Sequence, residues 1–207
     1  LTLYLDAGLQ AAADRALAGR RGAVVAIDPK TGGILALLSR PSYDPNLFVQ
    51  GISHQNYNAL RASIDAPLFN RAIQGQYQPG STLKPFIGLI ALGNSMITVS
   101  DSIEDPGWYQ LPGTERLYRD WNWTKTNDGG HGRVNLEKAI YRSCNVYFYD
   151  LAVRLGIDRL SNDLKQFGFG QASVLDLPDA HEGLLPSRVW KRASRNLPWY
   201  PGDTVNL

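Results

Sequence analysis

Residues 77–93 constrain this sequence most, because a turn signal there runs straight into an apolar helix bearing a serine and a lysine. The stretch opens Tyr77-Gln78-Pro79-Gly80-Ser81-Thr82-Leu83-Lys84-Pro85-Phe86. Pro79-Gly80 marks a turn. The run that follows stays apolar through Leu92 and stops at Gly93, the form of a buried helix. Ser81 is therefore expected at or beside a helix N-cap, with Lys84 one turn on and on the same face. An amine held in apolar surroundings loses its proton readily and can activate a nearby serine hydroxyl. A helix N-terminus also favours negative charge developing beside it. S-x-x-K is a short pattern, and alone it is met more often by a capping serine and a surface lysine.

The 207 residues leave room for one large domain or an unequal pair. With 43% apolar and 19% charged residues, the composition is that of a globular chain with a core. The net charge is +2 and no basic cluster is interleaved with aromatics, which excludes nucleic acid as a partner. No apolar run approaches the ~18 residues of a membrane span and no signal peptide opens the chain, so any anchor is expected outside it. Cys144 is the one cysteine; it excludes an internal disulfide and leaves the compartment open.

Leu1 to Leu5 alternates like a short strand. Asp6 can cap a helix with Leu9, Ala13, Ala16 and Leu17 on one face, stopped by Gly19. Ala23–Ile27 and Ile34–Leu38 flank Asp28-Pro29-Lys30-Thr31-Gly32-Gly33, a β-hairpin signal whose strands read as buried on both faces. Residues 39–76 read as irregular, with short helices around Tyr57–Ile64. From Asn94 to Arg133 the chain is polar, aromatic and turn-rich, with Pro106-Gly107, Pro112-Gly113 and Asp128-Gly129-Gly130. Trp108, Trp121 and Trp123 in that long loop argue for order rather than disorder. Asn135 should cap a helix that breaks at Ser143-Cys144-Asn145. A second helix should run to Gly156, and a third, capped by Asp158, to Gly168. The remainder, through Pro178, Pro186, Pro198 and Pro201, reads as loop.

Ser143-Cys144-Asn145 follows Ser81 by 62 positions and lies between two helices. In an extended segment, residues two apart point the same way. Ser143 and Asn145 could both face a cleft while Cys144 faces the protein behind. A hydroxyl can relay a proton, and a side-chain amide can hold a peptide through its carbonyl and its NH2. S-x-N alone is more often a helix junction with a capping asparagine, and Ser194-Arg195-Asn196 meets the same pattern.

Together, in this order, the two motifs resemble those of the penicillin-binding proteins and serine β-lactamases, whose set is S-x-x-K, S-x-N and K-T-G. The opening Leu1-Thr2-Leu3, the hairpin Ala26-Ile27-Asp28-Pro29-Lys30-Thr31-Gly32, Phe69-Asn70-Arg71-Ala72 and Pro79–Pro85 resemble a class B transpeptidase domain. Tyr118-Arg119-Asp120-Trp121, His131-Gly132 and Trp199-Tyr200-Pro201-Gly202-Asp203-Thr204 resemble the class B subfamily that serves rod elongation. The resemblance implies an α/β fold, an antiparallel sheet flanked by helices, here helix-rich. On that basis residues 1–40 form an N-terminal helix and β-hairpin, and 65–170 a helical subdomain with both motifs. No K-T-G follows Gly202-Asp203-Thr204. In the family that motif lies on a later strand, which supplies one oxyanion-hole amide beside the N–H of the serine, here Ser81. The chain is therefore expected to be the N-terminal part of a transpeptidase domain, and by itself not to hold β-lactams stably.

The resemblance further implies a peptidoglycan D,D-transpeptidase, with Ser81 as nucleophile, Lys84 as its base, Ser143 as proton shuttle and Asn145 orienting substrate. Its partners would be peptidoglycan stem peptides, β-lactam antibiotics, and the membrane glycosyltransferase and scaffold proteins of the elongation complex. It would act at the periplasmic face of a bacterial inner membrane. Two rivals stand beside this reading. A class A-like β-lactamase needs a glutamate with a nearby asparagine, and Glu182-Gly183-Leu184-Leu185 lacks the asparagine. A penicillin-sensing or scaffold domain would keep the fold without turnover.

Asp105, Asp120, His131 and Cys144 offer two carboxylates, an imidazole and a thiolate, a four-ligand set suited to zinc. From spacing alone a buried free cysteine, a surface histidine and two loop aspartates is the better reading, since no C-x-x-C anchors the pattern. The resemblance reverses that preference, because some members of the subfamily hold a structural Zn2+ by two Asp, one His and one Cys at matching positions. Residues 124–128 read as an insertion between the second and third ligands.

Overall fold

The computed structural model describes residues 2–124, 126, 129–172, 177 and 179–206. Lys125, Asn127 and Asp128 of the expected insertion, and Pro178 of the expected C-terminal loop, lie outside the described residues. The chain forms two compact units, residues 1–76 with 174–181 and residues 77–173 with 182–207.

In the first unit, Asp6 caps α1 (Ala7–Ala16), its carboxylate accepting from the Leu9 N–H at 2.8 Å. Strands β1 (Gly22–Ile27) and β2 (Ile34–Arg40) form the expected antiparallel hairpin. Asp28 organises its turn by accepting from the Lys30 N–H and the Thr31 hydroxyl. Helix α1 is fastened to β2 by Gln10, whose side-chain amide bonds both the N–H and the C=O of Leu37. The strands are not buried on both faces: Val25 and Ile27 are 45% and 55% exposed. A two-stranded ladder covered by one helix has a single covered face, so apolar residues at alternate positions of β1 meet solvent. Residues 2–5 form no strand, and of the expected α1 face only Ala13 is buried. Short helices α2 (Asn46–Val49) and α3 (His54–Ala62) follow. Helix α3 starts earlier than periodicity suggests because the Ser53 side chain caps it.

The second unit holds the larger core. A 3-10 turn (Gly80–Leu83) leads into α4 (Lys84–Gly93), and α5 (Leu136–Tyr141), α6 (Asn145–Leu155) and α7 (Ile157–Gln166) pack around it. Leu83, Ile87, Ile90 and Ala91 meet Phe148, Leu151, Leu155, Leu160 and Leu164 in one buried cluster. Asn135 caps α5 as expected, its side chain accepting from the Lys138 N–H. Gly156, not Asp158, is the N-cap of α7; at φ +74° it takes a backbone conformation open to glycine and turns the chain between two helices. Asp158 falls in the first turn, where its charge meets the helix dipole.

The segment expected to be loop contains four short strands. β3 (Ser102–Asp105) pairs antiparallel with β6 (Gly132–Asn135), and β4 (Trp108–Gln110) with β5 (Leu117–Arg119). At three or four residues each, they are too short and too polar for alternation to register. The tail is also less irregular than expected, with α8 (Arg188–Arg195), capped by Ser187, and α9 (Pro201–Val205). Pro201 sits in the first turn of α9, where a missing N–H costs nothing. Among the described residues the strands form three two-stranded antiparallel ladders, and helix dominates an α/β content. No helix among them is long and apolar enough to cross a membrane.

Candidate active site

The second unit brings Ser81, Lys84, Ser143 and Asn145 together. Ser81 lies in the 3-10 turn rather than in the helix proper, exposed, after Gly80 at φ +55°. Lys84 opens α4 and is only 8% exposed. Its Nζ donates to the Ser143 carbonyl at 2.7 Å, to Asn145 Oδ1 at 2.7 Å and to Ser143 Oγ at 3.1 Å. The Ser143 hydroxyl in turn donates to Ser81 Oγ at 2.8 Å. Lys84 makes no hydrogen bond to Ser81, so the amine expected beside the nucleophile reaches it through Ser143.

The local fold explains this placement. Ser143 ends α5 in the left-handed region, at φ +53°, a position usually given to glycine or asparagine. Its N–H and that of Cys144 return to the carbonyls of Ile140 and Ala139. Strain of this kind in a non-glycine residue collects where surroundings enforce it. Cys144 is then extended and caps α6, Sγ accepting from the Tyr147 N–H at 3.4 Å. The chain thus turns Ser143 and Asn145 to Lys84 and the Cys144 thiol to the opposite side, toward Asp105. A cavity of about 260 Å³ opens at the site, lined by Ser81, Lys84, Asn145, Phe148 and Tyr149 among others.

Burial pushes the Lys84 ammonium below its ordinary pKa, and the charge of Asp120 opposes this without cancelling it. Two of its three partners, the Ser143 carbonyl and Asn145 Oδ1, can only accept. A neutral amine has two N–H donors, both engaged there, which leaves its lone pair to Ser143 Oγ. In the charged form the order of protons runs Lys84 to Ser143 to Ser81. Loss of one proton permits the reverse order, Ser81 to Ser143 to Lys84.

Behind this cleft the four predicted metal-ligating residues also converge. Asp105, Asp120 and Cys144 are buried, and one ligand atom from each, with one from His131, lie within 4.8 Å of one another. Asp105 Oδ2 is 2.7 Å from His131 Nδ1 and 3.3 Å from Cys144 Sγ; Asp120 Oδ2 is 3.4 Å from the same ring nitrogen. The carboxylates' other oxygens are already occupied, Asp105 Oδ1 by the Gly107 N–H and Asp120 Oδ1 by the Trp121 N–H. Burial works against charge on Asp105, but bonds from His131, Gly107 and Cys144 hold its carboxyl below the usual range. Burial, with Asp105 beside it, pushes the Cys144 thiol far up. A thiol so placed needs a cation to ionise it, and two carboxylates, an imidazole and a thiol converging on one point are a donor set whose chemistry suits Zn2+.

One supporting residue gave no sign in the sequence, and one expected ligand has a second role. Lys138 Nζ holds the carbonyls of His131 and Arg133 at 2.7 and 2.9 Å, yet it reads as an ordinary helix lysine. Asp120 Oδ2 also accepts from the Asn145 N–H at 3.1 Å, tying the cluster to the start of α6.

Residues 22–199 match the penicillin binding protein transpeptidase domain. The chain belongs to that family. It is 51% identical over 207 residues to peptidoglycan D,D-transpeptidase MrdA of Acinetobacter baumannii, covering all of this chain and 30% of that protein. A crystal structure of Pseudomonas aeruginosa PBP2 in complex with WCK 5153 superimposes with a TM-score of 0.92 at 54% identity, over 99% of this chain and 46% of that one. Helicobacter pylori PBP2, in a complex with MreC, gives 0.89 at 38% identity, over 97% of this chain and 36% of that one. The chain spans about a third of the length of the curated relatives it matches.

Proposed function

We propose that this chain carries the nucleophilic centre of a peptidoglycan D,D-transpeptidase. The hydrogen-bonded series Lys84, Ser143, Ser81 is the observation that supports it most directly. With Lys84 neutral, Ser81 gives its proton to Ser143 and Ser143 gives its own to Lys84 as Ser81 Oγ attacks the carbonyl of the penultimate D-alanine. The C–N bond breaks, the proton returns through Ser143 to the departing amine, and D-alanine leaves an ester on Ser81. The amine of a neighbouring stem peptide then attacks the ester, and Ser81 regains its proton. With its oxygen engaged by Lys84, Asn145 has its NH2 left to donate to the substrate backbone. β-Lactams would acylate Ser81 in place of the stem peptide.

Asp105, Asp120, His131 and Cys144 would hold a structural Zn2+, which when bound cross-links the β3–β6 ladder to the cap of α6. The residues themselves already do part of this: Asp120 fixes the first N–H of α6, and Cys144 is the N-cap from which Asn145 projects. Likeness to proteins that are MrdA or PBP2, one of them seated on MreC, supports an assembly with elongation scaffold and glycosyltransferase partners at the periplasmic face of the inner membrane. The test is labelling of the intact protein with a fluorescent penicillin, followed by peptide mapping. The adduct is expected on Ser81 and absent from Ser81→Ala; an adduct elsewhere overturns the reading.

A further inference from the structure

The backbone of Ser143 is held on both sides. Its φ of +53° sets how the residue is turned relative to the rigid Arg142–Ser143 peptide plane. A serine keeps that left-handed conformation only where its surroundings enforce it. On the far side, the Ser143 carbonyl accepts from Lys84 Nζ at 2.7 Å, and the Cys144 N–H returns to the Ala139 carbonyl at 2.9 Å. On the near side, the Ser143 N–H reaches the Ile140 carbonyl at 3.1 Å, and the Arg142 carbonyl accepts from Trp121 Nε1 at 3.1 Å. Three of these four partners belong to α5 or are the lysine of the first motif. The fourth is an indole 21 positions away in the chain.

Trp121 is 65% exposed, so burial contributes little to keeping it in place. Its placement comes from the buried cluster instead. The Trp121 N–H donates to Asp120 Oδ1 at 2.7 Å, and the indole lies 5.9 Å from the His131 ring, centroid to centroid. Asp120 Oδ2 meanwhile accepts from the Asn145 N–H at 3.1 Å. Two consecutive residues thus grip Ser143-Cys144-Asn145 at both ends. Trp121 holds the carbonyl just before the segment, and Asp120 holds the N–H of its last residue.

We propose that Trp121 is a positioning residue for the reaction at Ser81, acting through Ser143. Its indole N–H fixes the peptide plane ahead of Ser143 and so aims the Ser143 hydroxyl between Lys84 Nζ and Ser81 Oγ. The inference rests on the reading of Ser143 as a proton relay. Without the indole donor, the 142–143 peptide is held at its N–H alone and can tilt. Proton transfer needs heavy atoms within about 2.6–3.2 Å of each other, so a tilt of this kind slows it.

A double-mutant cycle on acylation of the intact protein by a chromogenic β-lactam tests this. Trp121→Phe keeps an exposed ring and removes the N–H. It should slow acylation about fivefold to tenfold, the worth of one hydrogen bond. On top of Ser143→Ala, where no hydroxyl is left to aim, it should slow the reaction by less than about twofold. Trp121→Leu should match Trp121→Phe, since the lost donor and not the ring sets the rate. Trp123→Phe is the comparison: that ring pairs with the Arg119 guanidinium at 3.9 Å, and the variant should acylate at the original rate. Three results overturn the inference: Trp121 variants as fast as the original protein, an equal slowing in the Ser143→Ala background, or an equal slowing by Trp123→Phe. An original protein that gains no adduct on Ser81 fails the relay reading itself, and the inference with it.

Discussion

The Ser143 hydroxyl stands between Lys84 Nζ, at 3.1 Å, and Ser81 Oγ, at 2.8 Å, so the amine and the nucleophile communicate only through it. This geometry makes Ser143 more than a donor to the leaving group: activation of Ser81 passes through it as well. Ser143→Ala should cut the second-order rate of acylation by about 10²–10⁴-fold, the usual reach of a positioned proton-transfer group. Stopped-flow acylation with a chromogenic β-lactam measures this. A rate close to the original would mean that Lys84 moves to contact Ser81 directly. The Ser143 backbone carbonyl that Lys84 also uses survives the change, so lost placement of the lysine is not the cause.

Cys144 caps α6 with the same sulfur that faces Asp105, so one side chain joins the helix start to the carboxylate cluster. Elemental analysis of protein purified without added metal should find about one zinc per chain. Chelation should lower the melting temperature and slow acylation, since the α6 N-terminus carrying Asn145 loses its anchor. Cys144→Ser should abolish zinc binding but keep a side-chain acceptor for the cap, so it should melt close to the chelated protein. Metal-free protein whose melting ignores chelators would leave these residues as a hydrogen-bonded cluster and nothing more.

What the sequence made legible is local. Pro79-Gly80 ahead of an apolar run located Ser81 and Lys84, Asp6 and Asn135 announced their helices by capping, and Asp28 with Thr31 announced the hairpin. These signals need only neighbours within a turn of helix or a tight loop. The long-range geometry was not legible. Lys84 and Ser143 are 59 positions apart, and nothing in either motif says that a serine will stand between the lysine and its target. β3 and β6 are defined by pairing across 27 to 33 residues, with too few residues each to show a period. Four proposed ligands drawn from one strand, two loop positions and a helix cap had no common spacing. Only the resemblance joined them before the structure did.

Gly130 ties the two edges of the Asp105, Asp120, His131 and Cys144 cluster through backbone alone. A Cβ there would lie 2.4 Å from the Asp105 carbonyl and 2.6 Å from the Gly107 nitrogen, and its φ is +93°. Neither contact is a side-chain end that can swing away. Gly130→Ala should cost about 1–3 kcal/mol in backbone strain, and should also reduce zinc content because Asp105 and His131 must separate. Gly113 is the control, with φ +75° and nothing within 4 Å of an added Cβ. Gly113→Ala should lose about 1 kcal/mol through conformation alone and retain the metal. Equal losses in the two variants, measured by urea denaturation, would remove any special role for Gly130.

The pH dependence of acylation follows from the direction of the Lys84 shift. Burial holds the ammonium below the ordinary lysine value of about 10.4. Acylation requires the neutral amine, so the rate constant should rise with pH and reach half its maximum below that value. Stability moves in the same direction. Between the lowered folded pKa and the ordinary unfolded one, the unfolded chain binds more protons at this site than the folded one. The burial penalty of Lys84 is therefore present in full below the folded pKa and disappears as pH rises toward the unfolded value. Lys84→Arg keeps the charge but has no accessible neutral form, so it should lose acylation at every pH rather than shift the profile. A profile with its midpoint at or above the ordinary lysine value, or an arginine variant that still acylates at a comparable rate, would show that Lys84 serves Ser81 as a fixed positive charge and not as a base.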